Sequence, residues 1–132
     1  MKIFDKTYDV LERKLDLYAR RHEVLAGNVA NNETPNFRAR ELNFAGELEK
    51  ALSGSEGVLK RTDAQHLDVS GSEGAHVVFD NSGAVGADGN NVDLDISMGK
   101  LMANSRTYGE TVDILSSKLQ ILKLVLGSRG GS

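Results

Sequence analysis

The large apolar and aromatic residues near the start of the chain recur at alternating steps of four and three. With one histidine in the series, the positions are Phe4, Tyr8, Leu11, Leu15, Tyr18, His22, Leu25 and Val29. A repeat of about 3.5 residues lines up one stripe of side chains on an α-helix, which is the seam pattern of a coiled coil. The spacing therefore predicts a long N-terminal helix that pairs with another helix along this stripe.

The end of the chain repeats this pattern over a longer stretch. The stripe comprises Leu94, Met98, Leu101, Ser105, Tyr108, Val112, Leu115, Leu119, Leu122 and Leu126. Asp93 or Asp95 can cap the start of this helix by accepting a hydrogen bond from a free backbone N–H. Gly127 suits its end. We therefore expect a second helix from Asp93 to Leu126, on the order of 50 Å long, that pairs with the first.

The second half of this C-terminal helix carries more apolar residues than one seam needs. Ile114, Ile121, Leu124 and Val125 all fall outside the stripe. A pair of helices would leave them in water, where covering apolar area is favourable by roughly 25 cal/mol per Å². An exposed patch of this kind usually marks a protein–protein contact. The pattern thus indicates a subunit that assembles with other chains.

The middle of the chain has weaker signals, and the stretch 53–90 holds half of the 14 glycines. Helical spacing predicts a short helix from Leu42 to Leu52, and alternation predicts a small β-hairpin formed by 66–69 and 77–79. The predicted fold class is mainly α. Residues 1–32 and 93–127 form paired terminal helices as a discontinuous core domain, and residues 33–92 form a loop-rich insert.

Composition excludes several functions. A net charge of −3 argues against a surface for nucleic acid, which needs a basic field, and the absence of cysteine excludes disulfides. The sequence has no apolar run long enough to span a membrane. Charged residues interrupt the apolar ones from Lys2 to Lys14, so we expect no cleaved signal peptide.

Candidate chemistry is sparse. The three histidines, His22, His66 and His76, are too scattered for a metal site. The acidic stretch 88–95 lacks the glycine and glutamate that a calcium loop requires at its sixth and twelfth positions, so we interpret it as a turn with a helix cap. We expect no enzyme activity, no cofactor and no small-molecule substrate.

The stretch 25–38 resembles the N-terminal signature of the flagellar basal-body rod and hook protein family. Asn28, Ala30, Asn31, Thr34 and Arg38 match that signature. Phe37 stands where tyrosine is commoner, and Asn36 stands where glycine is usual. Asparagine adopts the left-handed backbone conformation more readily than most residues, so we expect the turn to survive this change.

The stretch 89–95, with Asn91 and Asp93, followed by a helix rich in leucine and lysine, is similar to the proximal rod members of that family. The resemblance implies a structural subunit of the proximal rod, which connects the membrane ring and export gate to the more distal rod. It implies assembly through the helix seams, for which the residues are Tyr8, Leu11, Leu15, Tyr18, Leu25, Tyr108, Val112, Leu115, Leu119 and Leu122.

The partners implied by the resemblance are copies of the same chain, other proximal rod proteins, the rod–ring adapter and the export gate. The resemblance implies that the subunit leaves the cytoplasm through the flagellar type III export channel and occupies the periplasmic part of the basal body. The segment from Phe44 to Leu48 is similar to an aromatic and hydrophobic element proposed for docking at that gate. The alternative interpretation of this segment is the buried face of a short helix.

A second hypothesis is a coiled-coil adapter or export chaperone that stays in the cytoplasm. Such a protein would form a stable dimer or tetramer on its own, whereas a rod subunit would associate weakly until assembly is nucleated. The asparagine-rich stretch after the first helix favours the rod subunit.

Overall fold

A computed structural model describes residues 2–53 and 76–130 of the chain. Its elements in order are α1 (Lys2–Ala30), β1 (Arg40–Leu42), α2 (Phe44–Ser53), β2 (Val77–Phe79) and α3 (Leu94–Ser128). The long helices α1 and α3 pack together and the small sheet lies between them in sequence. This confirms the predicted fold class.

The helices α1 and α3 run antiparallel. Tyr18 lies beside Asn104, and Arg21, one turn later in α1, is linked through Glu41 to Lys100, one turn earlier in α3. Because both helices rise equally per residue, the start of α1 is level with about residue 120 of α3. The last two turns of α3 therefore extend beyond α1.

The start of α3 is capped by Asp93, one of the two residues predicted for this role. Asp93 has an extended backbone, and its side chain accepts a hydrogen bond from the N–H of Ile96 at 3.0 Å. The helix ends at Ser128 with Arg129 as its C-cap, so Gly127 lies inside the last turn, not beyond the helix end.

Helix α1 ends at Ala30, in the asparagine-rich stretch, as predicted. The side chain of Asn31 donates to the carbonyl of Gly27 at 2.8 Å, and the hydroxyl of Thr34 donates to Asn31 Oδ1 at 3.0 Å. The bond to Gly27 satisfies one of the carbonyls that the end of a helix leaves without an intrahelical partner.

The small sheet pairs β1 with β2 in antiparallel register, with Glu41 opposite Val78. The strand at Val77–Phe79 was predicted, but its partner was not. The other predicted strand, 66–69, lies outside the described residues. Leu42 belongs to β1, and the predicted short helix begins two residues later as α2.

The hydrophobic core is small and lies where α1, the sheet and the start of α2 meet. Its buried apolar residues are Leu17, Tyr18, Leu25, Ala39 and Leu42. The ring of Phe44 at the start of α2 stacks on Tyr18, with 4.7 Å between the ring centroids. This contact fits the interpretation of Phe44 as part of a packed helix face, because offset aromatic pairs stabilise such contacts.

Candidate functional site

The face of α3 that packs against α1 is polar and small. Its buried residues are Ser97, Asn104 and Thr111, which recur at steps of seven. The Thr111 hydroxyl donates to the carbonyl of Thr107 within the helix, so its burial leaves no unpaired donor. Hydrophobic periodicity could not identify this stripe, because its members are not hydrophobic.

The apolar stripe predicted for α3 therefore lies partly beside the contact with α1. Val112, Leu115 and Leu122 are half-buried, whereas Tyr108 and Leu119 are exposed. On α1 the predicted positions lie in the contact region: Tyr18 and Leu25 are buried, and Tyr8, Leu11 and Leu15 are half-buried. The structure thus covers the predicted seam residues of α1 at least in part, whereas two of the five on α3 remain exposed.

The second half of α3 carries a surface that nothing in the described chain covers. We call it the uncovered face, and its exposed apolar residues are Ile114, Leu119, Ile121, Leu124, Val125 and Leu126. Leu124 is 75% exposed, which is far more than a core leucine would be. Contiguous apolar surface of this kind usually binds another protein.

At the other end of the helix pair, asparagine side chains bind backbone groups. Asn28 is 1% exposed; its Nδ2 donates to the carbonyl of Arg40 at 2.7 Å, and its Oδ1 accepts from the N–H of Arg40 at 2.9 Å. These two hydrogen bonds take the place of the backbone hydrogen bonds that a neighbouring strand would make with Arg40. Asn28 therefore joins α1 to the outer edge of β1.

Two further buried asparagines join the segment before α3 to the segment after α1. Asn90 Nδ2 donates to the carbonyls of Asn31 and Thr34, at 2.8 and 2.7 Å. Asn91 Oδ1 accepts from the N–H of Ala39 at 2.6 Å, and its Nδ2 donates to the carbonyl of Asp80 at 2.9 Å. We call Asn28, Asn31, Asn90 and Asn91 the asparagine junction.

The asparagine junction brings together the two stretches that carried the family resemblance, although they are about 60 residues apart in sequence. Of the remaining motif residues, Ala30 is exposed, Phe37 is half-buried and Arg38 lies 4.1 Å from the ring centroid of Phe79. Asn90 was not among the predicted motif residues. Its only signal in the sequence was its position between Gly89 and Asn91.

The turn at Asn36 has the left-handed conformation expected from the sequence. Asn36 has a φ of 59° and Gly89 has a φ of 80°. The N–H of Asn36 donates to the carbonyl of Asp88 at 2.9 Å, so the two turns are in direct contact. A Cβ on Gly89 would collide with Asn36 Oδ1.

Substitution of Gly89 by alanine is expected to lower the free energy of unfolding by at least about 1–2 kcal/mol, the cost of a left-handed backbone for a residue with a Cβ. Gly99→Ala is the control, because Gly99 is helical and a Cβ there meets nothing within 4 Å. Alanine at this position should stabilise the protein by about 0.5–1 kcal/mol. Urea unfolding followed by circular dichroism measures both, and equal effects would contradict the account.

A cluster of charges fastens the sheet to both long helices. Arg21 on α1 binds Glu41 on β1 through two hydrogen bonds of 2.9 and 3.2 Å. Lys100 on α3 lies 2.6 Å from Asp80 and 3.4 Å from Glu41. The cluster therefore fixes the position of the sheet relative to α1 and α3.

Burial alone would raise the pKa values of the Glu41 and Asp80 carboxyl groups, because it disfavours their charged forms. Burial is the largest single effect, but the opposing effects together exceed it, so both pKa values fall below the ordinary range. For Glu41 these are the hydrogen bonds from Arg21 and the Leu42 N–H and the charges of Arg21 and Lys100. For Asp80 they are the hydrogen bonds from Lys100 and Ser82 and the charge of Lys100. Burial alone would lower the pKa of the Lys100 ammonium group, but its contacts with Asp80 and Glu41 raise that pKa above the ordinary value.

The unfolding free energy is therefore expected to fall in acid. Because the folded pKa values are lowered, the stabilisation is complete above the unfolded pKa of about 4 and is lost as pH falls through the folded values. Glu41→Gln should remove about 1.5–3 kcal/mol at pH 7, the range for hydrogen bonds to charged groups, and much less at pH 2. Urea titrations at both pH values test this, and a pH-independent effect of the substitution would contradict it.

The arrangement is suited to binding other helices. Within residues 2–53 and 76–130, no group of three histidine, aspartate or glutamate side chains could hold a metal ion. In the same part of the chain, no helix is long and apolar enough to cross a membrane.

Comparison with known proteins gives no matching family model. The chain is 32% identical to the flagellar basal body rod protein FlgB of Bacillus subtilis over 127 residues, which cover 96% of this chain and 97% of that protein. It is 31% identical to FlgB of Proteus mirabilis, over 92% of this chain and 94% of that protein. FlgB of Escherichia coli is 32% identical, over 89% of this chain and 90% of that protein.

Proposed function

This chain belongs to the family of the flagellar basal body rod protein FlgB, and from that membership we propose that it is a structural subunit of the proximal flagellar rod. The observation that carries the proposal is the length of the similarity. It runs through both long helices and the insert and covers nearly the whole of each relative. The similarity therefore extends over the whole subunit and is not limited to one helix.

The uncovered face of α3 supports a role in assembly. A free monomer would leave six large apolar side chains of this helix end in water, at an unfavourable free energy of roughly 25 cal/mol per Å². In an assembled rod, helices of neighbouring subunits cover such a face. The ten seam residues serve this assembly: those on α1 and the half-buried ones on α3 hold the pair together, and Tyr108 and Leu119 contact neighbours.

Partners and location follow from the same role. We infer that the subunit contacts copies of itself, other proximal rod proteins, the rod–ring adapter and the export gate. It reaches the periplasmic part of the basal body through the flagellar export channel with its N-terminus uncleaved. In this proposal the helices of residues 1–32 and 93–127 form the assembling unit, residues 33–92 form the insert, and the subunit carries no enzyme activity.

The cytoplasmic adapter or chaperone hypothesis has no support among these relatives, which are all named as rod proteins.

Fractionation of a flagellated cell that carries this gene tests the proposal. We expect the chain in the envelope fraction that contains basal bodies, with an intact mass showing that the N-terminal segment is retained. A chain found exclusively in the cytoplasm would favour the chaperone hypothesis. A shortened mass in the envelope fraction would contradict uncleaved export and leave the rod assignment intact.

A further inference from the structure

The end of α3 that extends beyond α1 is both apolar and basic. We call residues 119–128 the α3 tail. After Asp113 the described part of α3 has no acidic residue, whereas Lys118, Lys123 and Arg129 are basic. Leu119, Lys123 and Leu126 follow at steps of four and three, so they share one face of the helix. All three are exposed.

One side of the helix pair has an open cleft of about 390 Å³ between α1 and α3. It is lined by Tyr18, Ala19, His22, Glu23, Asn104, Ser105 and Tyr108. Met98 and Met102 are exposed on the same face of α3 as Ser105, so they extend the apolar surface towards the start of the helix. Methionine side chains adapt readily to a partner helix.

Both signs of charge lie near the cleft: Lys14 Nζ is 5.9 Å from the centroid of the Tyr18 ring, and carboxylates lie on the α1 wall and on α3. Glu23 is an exposed carboxylate on its α1 wall. Burial raises the pKa of the Tyr18 hydroxyl, and the negative charge of Glu110 raises it further. The positive charge of Arg21 opposes this increase. A basic helix end would complement these carboxylates.

Asn104 contributes an acceptor that still needs a donor. The residue is 2% exposed, and its Nδ2 donates to the carbonyl of Tyr18 at 2.9 Å. Its Oδ1 is buried and has no hydrogen-bond partner among the described residues. Buried polar atoms are nearly always paired in native structures, so a group entering the cleft with an N–H donor would complete this site.

We propose that the cleft of one subunit receives the α3 tail of a second copy of this chain, with Lys123 directed towards Glu23 and Asn104. This inference rests on the proposed rod function. Leu119 and Leu126 lie one turn to either side of Lys123 and would pack on Tyr108 and on the exposed methionines. The mode is that of an apolar helix face bound in a groove.

The proposed contact joins two different surfaces, the tail of one copy and the cleft of the next. A heterologous contact of this kind leaves a free cleft at one end and a free tail at the other, and it propagates into an open helical assembly when the rotation does not close. The pairing of Lys123 on the tail with Glu23 in the cleft would give the contact its direction.

Disulfide crosslinking tests the contact directly, since the chain has no cysteine of its own. The test variant combines Glu23→Cys with Lys123→Cys, and the control combines Glu23→Cys with Ser117→Cys. Ser117 is exposed on the same helix but lies about 120° around it from Lys123. Basal bodies purified from each strain are oxidised with copper phenanthroline and resolved without reducing agent.

We expect a ladder of products at two, three and more times the subunit mass that is at least fivefold stronger for the test pair than for the control pair. Equal or absent products, with the subunit present in the particles, would overturn this contact and leave the rod function intact. A crosslinked product with a different rod protein would show that this protein, and not a second copy of the chain, occupies the cleft. Absence of the unsubstituted chain from the particles would overturn the rod function, and this inference with it.

Charge exchange gives an independent test if the cysteine variants fail to assemble. Glu23→Lys and Lys123→Glu should each lower the number of intact particles at least tenfold, because each places like charges together. The double variant should recover at least half of the normal number. A double variant no better than either single one would contradict the proposed pairing.

Discussion

Replacing Leu119 by aspartate is expected to abolish rod assembly while leaving the isolated subunit folded. Leu119 is 50% exposed in the subunit, so the charge remains hydrated there and the free energy of unfolding should change by less than about 0.5 kcal/mol. In an assembled rod the same charge would be buried without a partner, at a cost of several kcal/mol. Since about 1.4 kcal/mol is a factor of ten in affinity, this loss exceeds a hundredfold at each contact.

Gln120→Asp is the matched control, because it adds the same charge one residue away, on the polar side of α3 that also carries Asp113 and Ser116. Leu115→Asp should also block assembly, but Leu115 is half-buried on the described chain and the change would disturb the helix pair as well. Particle counts by electron microscopy and swimming assays measure assembly, and circular dichroism measures folding. Normal particles and motility from Leu119→Asp would contradict an assembly role for the uncovered face.

The second large effect is expected at Asn28. Asn28→Ala should lower the free energy of unfolding by about 2–4 kcal/mol, because it leaves the N–H and the carbonyl of Arg40 without their partner, at about 1–3 kcal/mol each. The better helix propensity of alanine offsets only about 0.5 kcal/mol of this. Urea unfolding of the purified chain measures the loss.

Asn32→Ala is the control for Asn28→Ala. Asn32 lies one turn away, and within the described residues its side chain makes none of the hydrogen bonds of the asparagine junction. Its substitution should change the unfolding free energy by less than about 0.5 kcal/mol. Similar losses for both variants would show that the junction is a general polar surface without a specific structural role.

The elements that could be predicted from the sequence are those set by local interactions. The 3.5-residue spacing identified α1 and α3, and Asp93 is one of the two residues that the sequence predicted as the cap. The left-handed conformation at Asn36 was expected because glycine is usual there in the family that the stretch resembles. Each of these depends on a few neighbouring residues, so the signal is complete within a short window.

The features that could not be predicted depend on contacts between distant segments. The partner strand of Val77–Phe79 is about 37 residues earlier in the chain, and Asn90 binds carbonyls almost 60 residues away. The packed face of α3 was missed for a different reason. It consists of Ser97, Asn104 and Thr111, whereas the hydrophobic signal came largely from residues that a single subunit leaves exposed. In a subunit that assembles with other chains, part of the hydrophobic pattern therefore indicates contacts between chains and not contacts within one chain.

The most direct test of a structural rod subunit is quantitative mass spectrometry of detergent-purified hook–basal bodies from a flagellated cell that carries this gene. A rod subunit copurifies in a fixed ratio to the other rod proteins, and that ratio survives further purification. A chain that is absent from intact particles but present in the cytoplasm would show that the protein is not a rod subunit. The similarity to FlgB would then reflect a shared helix architecture without a shared place in the rod.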